Sequence, residues 1–291
     1  MKPNFISKST RILPFFLVAG LIVLLIPFLF KTTFSNPEMS IEFQYSLLLS
    51  FIFLFLLVAA YLVVWALKHW GYAQKPLITL FAAYGLPILA IVITYTWLQL
   101  EQAPLIEGRL INSYFRVIWQ PLLYFWQVMI LLFSFRFLFP GVFPRQILER
   151  KHIVIGILAG LGSGLINVYM ISVISNLPIN QSLALTTAVS PPLLKWTSTI
   201  LAISLAPFAF ERFFRQILQQ SWQTRFGSVK GFWLVAVAFA LLTFQPTLML
   251  PALCSAILYG LLIQTQPFGT VVIAHAVTNA LILFAGWQWV Y

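Results

Sequence analysis

The stretch APFAFERFFRQILQQSWQTRFG, residues 206–227, is where a long apolar run meets a cluster of charges. Upstream of it, residues 192–210 carry a single charge, Lys195, and read as a membrane-spanning helix. Downstream, Arg212, Arg215 and Arg225 alternate with Phe, Ile, Leu and Trp. Residues 212–225 therefore read as an amphipathic basic helix leaving the membrane along its surface. Glu211 and Arg215 stand four apart, so they share a helix face and can pair. An ion pair anchoring a helix end is one reading; an acid–base group at the membrane boundary is the other, because ionisable groups at membrane depth are candidates for function.

Working outward, the whole chain is as apolar as that upstream run. It has 291 residues, 61% of them hydrophobic and 8% charged, with a mean hydropathy of +0.94. Soluble domains carry about 25% charged residues. A soluble enzyme, a disordered tail, a disulfide-stapled secreted domain and a large extramembrane domain are all excluded. Hydrophobic runs predict spans near 12–30, 45–67, 77–98, 117–139, 153–175, 192–210, 229–245, 248–264 and 269–290. The seventh and eighth are short and separated only by Gln245–Thr247; as two spans they bring the count to nine, and as one tight hairpin to eight. The first run follows Lys2, Lys8 and Arg11 but lacks a small-residue cleavage pattern, and reads as an uncleaved helix. Residues 99–116 and 176–190 read as loops, and Trp287, Trp289 and Tyr291 as an aromatic belt.

Charge sets the expected orientation. If the spans alternate, Lys2, Lys8, Arg11, Lys68, Lys75, Arg145, Arg150, Lys151, Arg212, Arg215, Arg225 and Lys230 fall on one side. Lys31, Arg109, Arg116 and Lys195 fall on the other, with Arg136 near the end of a span. That asymmetry places the amino terminus on the cytoplasmic side, in a membrane of the bacterial inner (plasma) type. The net charge of +11 is accounted for by this topology and by anionic headgroups, so nucleic acid is not an expected partner.

The ionisable inventory is short. There is no Asp; the acids are Glu38, Glu42, Glu101, Glu107, Glu149 and Glu211, and the histidines His69, His152 and His275. Cys254 is the single cysteine, which excludes an internal disulfide and a cysteine metal site. His69 and His152 adjoin Lys68 and Lys151 at span ends and read as interfacial. His275 lies inside the last span, with Asn279 one turn on. Asn279 is positioned to fix the imidazole's orientation, leaving the other nitrogen for an oxyanion, a water or a metal; alternatively the two are a polar pair joining helices. Gly156, Gly160 and Gly164 form overlapping small-xxx-small patterns, which bring helices into close contact, with a gating role as the alternative. Glu211 and His275 make two metal donors, short of the three usual for catalytic zinc, and no cofactor is expected.

Three blocks together resemble the CPBP family, the CAAX prenyl protease and bacteriocin-processing membrane proteins. APFAFERFFRQ resembles the family's first motif, two adjacent Glu, three residues and an Arg. AFALLTF, residues 238–244, falls where the family has Phe, three residues, His. LYGLLIQTQPFGTVVIAHAVTN, residues 258–279, is similar to the last block, which ends in His, three residues, Asn. The resemblance implies an all-α polytopic bundle whose carboxyl-terminal half, residues 190–291, is a CPBP-like core, preceded by about five spans in residues 1–175. It also implies a catalytic set of Glu211, Arg215, His275 and Asn279. Two positions depart from the family. Phe210 replaces the Glu that activates the attacking water, and Thr243 replaces the second-motif His, although its partner Phe239 is kept. A base and an oxyanion donor each contribute about 10²–10⁴ in rate. Two expectations follow: a pseudo-protease serving as a membrane-embedded binding, scaffold or assembly subunit with a membrane-protein partner; or an endopeptidase acting on a membrane-anchored peptide, with Glu211 as base, His275 as oxyanion donor or proton carrier and Asn279 as its orienter.

Overall fold

The computed structural model describes residues 56–65, 67–68, 75–87, 108–139, 148–175, 192–242 and 246–285. Among the described residues the secondary structure is helical throughout, as the apolar runs require: in lipid, each backbone N–H and C=O must find its partner within its own segment. The expected first span, the 176–190 loop, His69, Thr243 and the Trp287–Tyr291 belt lie outside the described residues.

The chain divides into two compact units, residues 1–141 with 189–194, and residues 142–188 with 195–291. In the first unit, α1 covers Leu56–Trp65 and α2 covers Lys75–Leu80, running on into a π-helical turn at Phe81–Gly85. Helix α3, Gly108–Phe137, packs on that turn, and the indole of Trp126 donates to the Ala82 carbonyl at 2.9 Å. Residues 108–116, read from sequence as loop, are the first turns of α3. Their polar composition suggests a loop, but no helix breaker follows Gly108 in this stretch.

The second unit holds α4 (Arg150–Ser175), α5 (Pro192–Ile203) from Lys195 on, α6 (Leu205–Glu211), α7 (Gln220–Phe226), α8 (Ser228–Leu241), α9 (Pro246–Thr265) and α10 (Phe268–Phe284). A π-helical segment, Arg212–Gln219, joins α6 to α7. Helices α4 and α9 are long and apolar enough to cross a membrane. The expected single span over 192–210 is broken at Ser204, whose φ of −107° and ψ of −80° leave the helical region. Pro207 is the physical cause: it has no N–H for the Ile203 carbonyl, and its ring crowds that carbonyl.

Helices α4 and α10 meet along their glycines. A Cβ on Gly156 would lie 2.8 Å from the Thr270 carbonyl oxygen, and one on Gly160 would lie 2.5 Å from that of Ala274. The small-residue stripe is thus a packing seam, and the absence of side chains is what lets the backbones approach. The same face of α4 goes on with Ser163 and Asn167. Ser163 lies 3.0 Å from the Ser255 hydroxyl on α9, and the Asn167 amide donates to that hydroxyl at 2.8 Å. At the start of α4 the backbone N–H of Glu149 donates to His152, and Lys151 pairs with the Glu149 carboxylate at 2.9 Å. The hydrogen bond and charge of Lys151 hold that exposed carboxyl below its ordinary range.

Candidate active site

Two helices from distant parts of the sequence bring the ionisable residues together. Glu211 ends α6, and its carboxylate is wholly buried. Its Oε2 accepts from Arg215 Nε at 3.0 Å, the i to i+4 pair expected from spacing. Its Oε1 lies 2.8 Å from Nδ1 of His275 on α10. A carboxylate held by an arginine only accepts, so Nδ1 carries the proton in this contact. Arg215 also reaches Gln219 Oε1 at 3.5 Å, and the Gln219 amide reaches the Gly260 carbonyl on α9 at 3.5 Å. This forms a polar chain from α10 through α6 and the π-helical segment to α9.

The π-helical segment is buried from end to end, Arg212 and Arg215 included. The amphipathic surface helix expected over residues 212–225 is therefore corrected: its first eight residues are core, and the exposed part begins at Gln220. The charges are tolerated at depth because Arg215 is answered by Glu211 and Gln219 and lies over the ring of Phe239, 5.6 Å from its centroid. Arg212 lies over Phe208 at 5.7 Å.

Aromatic rings enclose the imidazole. Tyr259 stacks on it with centroids 5.3 Å apart and planes 20° from parallel. Phe210 stacks at 6.5 Å and 21°, and Phe239 stands edge-on at 6.3 Å. Phe210, at the position where the resemblance expects a water-activating Glu, thus presents a ring face to His275 instead of an oxygen. Tyr259 is itself held: its hydroxyl donates to Thr278 at 2.7 Å, and Thr278 donates to the Gly160 carbonyl at 3.1 Å. Sequence reasoning missed Tyr259 and Thr278. The available signal was that Thr278 follows His275 by three residues and so lies on its face of the helix.

Asn279 requires a correction. It does not orient His275: its amide donates to the Ala202 carbonyl at 2.8 Å, and the orienting group on Nδ1 is Glu211. The physical reason is the break at Ser204, which leaves the last carbonyls of α5 without the next helical turn to donate to them. Of the two readings open from spacing, the polar tie between helices is the one seen. Replacing Asn279 with Leu is expected to free the end of α5, with faster amide hydrogen exchange over residues 200–206 and a stability loss of about 1–3 kcal/mol for the unanswered carbonyl. Unchanged exchange there would contradict the cap.

Chemically, the cluster is a carboxylate with both oxygens engaged, an imidazole with Tyr259 and Phe210 stacked against it, and an arginine whose Nε and Nη1 reach Glu211 and Gln219. Among the described residues no three His, Cys, Asp or Glu side chains gather into a metal-binding group; Glu211 and His275 supply two donors, each already engaged with the other. Residues 192–281 match the family model described as Type II CAAX prenyl endopeptidase Rce1-like. No curated protein and no solved structure matches the chain.

Proposed function

We propose that this chain, a CPBP-family membrane protein through residues 192–281, keeps the family's core as a closed structural unit and works as a pseudo-protease: a membrane-embedded binding, scaffold or assembly subunit. The observation that carries the reading is the state of Glu211. Peptide hydrolysis needs a base with a free oxygen beside a water and a donor aimed at the tetrahedral oxyanion. Here one Glu211 oxygen is held by Arg215 and the other by His275, with both Glu211 and His275 at 0% exposure. Phe210 stacks against the imidazole with ring centroids 6.5 Å apart, and the Asn279 amide is turned to a backbone carbonyl. What remains suits a rigid helix bundle offering its outer faces to a membrane-protein partner. The charge asymmetry supports a cytoplasmic amino terminus.

One observation favours a second reading, an active endopeptidase on membrane-anchored peptides. Glu211 and His275 are in direct contact, so a water inserted between them would meet a base and a proton carrier at once. The two readings separate in a cleavage assay with purified protein in lipid nanodiscs and a prenylated, membrane-anchored peptide. The expected result is no cleavage above that of Glu211→Gln. Turnover that Glu211→Gln abolishes would establish the peptidase.

A further inference from the structure

Helices α7 and α8 meet at a corner that no step of the proposed function uses. Gly227 makes the turn with φ +89°, a conformation L side chains rarely adopt. The corner is tight. A Cβ on Gly231 would lie 2.6 Å from Cα of Gln223, and the Gln223 amide donates to the Ser228 carbonyl at 3.3 Å. This fixed turn holds two apolar side chains outward, Phe226 at 43% and Val229 at 68% exposure, with Trp222 half-buried beside them. Two exposed cations flank them, Arg225, whose guanidinium lies over the Phe226 ring at 5.4 Å, and Lys230.

The corner also sits at a defined end of the unit. Helices α8 and α9 are antiparallel neighbours, as are α9 and α10, so the start of α8 shares an end with Thr265 and Phe268. Leu148 packs on Gly269 at that end, bringing the exposed Arg150 to it as well. Exposed apolar side chains at the end of a spanning bundle, ringed by cations, match the boundary where acyl chains meet headgroups. The flanking charges match acidic headgroups rather than zwitterionic ones.

We infer that the α7–α8 corner is a preformed interfacial foot that seats anionic phospholipid headgroups on Arg225 and Lys230, with Phe226 and Val229 inserted at the acyl boundary. Each cation near an anionic surface contributes roughly a fivefold preference, so the pair contributes about 25-fold. The turn is already built, so binding orders little additional chain.

The test uses the whole protein in neutral detergent, with phosphatidylglycerol and phosphatidylcholine as probes and native mass spectrometry as readout. The expected result is a phosphatidylglycerol preference that falls about 25-fold in the surface variant Arg225→Gln/Lys230→Gln. The control Arg136→Gln, at an exposed cation of the other unit, should leave it unchanged. A preference that is absent, or that survives the double variant, overturns the inference. A second measurement places the foot. A spin label at Val229→Cys in a Cys254→Ser background should be shielded from a water-soluble relaxation agent in vesicles containing phosphatidylglycerol. Full aqueous accessibility of that label overturns the inference as well.

Discussion

Replacing Glu211 with Ala is expected to cost about 3–5 kcal/mol, because it leaves the buried Arg215 guanidinium and the His275 imidazole without their shared acceptor. The reference point is the geometry: one carboxylate, wholly buried, serving two donors from two elements. Glu211→Gln keeps an acceptor for one of them and should lose less. Replacing Glu211, Arg215 and His275 together by apolar residues of similar volume should recover most of the loss, since the desolvation of all three then disappears with their pairing. Thermal unfolding in detergent reads the series. If Glu211→Ala were as stable as the parent, the carboxylate would not be holding the core, and a role in chemistry would gain weight.

The second large effect is expected at the α4–α10 seam. Gly160→Ala puts a methyl 2.5 Å from a backbone oxygen and 2.7 Å from Cβ of Val277, neither of which can swing away. The helices must separate, at about 1–3 kcal/mol or more. That separation also stretches the Thr278 bond to the Gly160 carbonyl, and through it the seat of Tyr259 against His275. The neighbours supply a graded control. At Gly164 the nearest atom is the far end of Leu281, which can rotate, so Gly164→Ala should cost less. Nothing lies within 4 Å of a Cβ at Gly162, so Gly162→Ala should be neutral or stabilising through helix propensity. Equal losses at Gly160 and Gly162 would remove the seam from the account.

These two sites also mark what the sequence made legible. Long apolar runs place the helices of the second unit closely: 153–175, 229–245, 248–264 and 269–290 correspond to α4, α8, α9 and α10. The glycine stripe reads correctly because a spacing of four on a helix is itself a statement about one face. The break at Ser204 did not register, since Pro207 is apolar by any hydropathy measure and its effect lies in a missing N–H. The burial of Arg212–Gln219 was hidden for a different reason. Charges look like surface unless their partners are known, and the His275 partner of Glu211 is 64 residues away. Spacing leaves two readings of Asn279 open because its acceptor is a backbone carbonyl 77 residues away, beside the break at Ser204. The matched family model covers the segment that carries the resemblance, and the packing adds that Phe210 stacks against His275.

The proposed pseudo-protease rests on Glu211 and His275 engaging each other beside Phe210. A high-resolution cryo-EM structure of the protein drawn gently from its own membrane, with co-purifying chains identified by mass spectrometry, tests it most directly. The expected result is a stoichiometric membrane partner on the bundle, both Glu211 oxygens engaged, and Phe210 against the imidazole. A lone bundle in which Glu211 and His275 face a wet cavity with a water between them would contradict it.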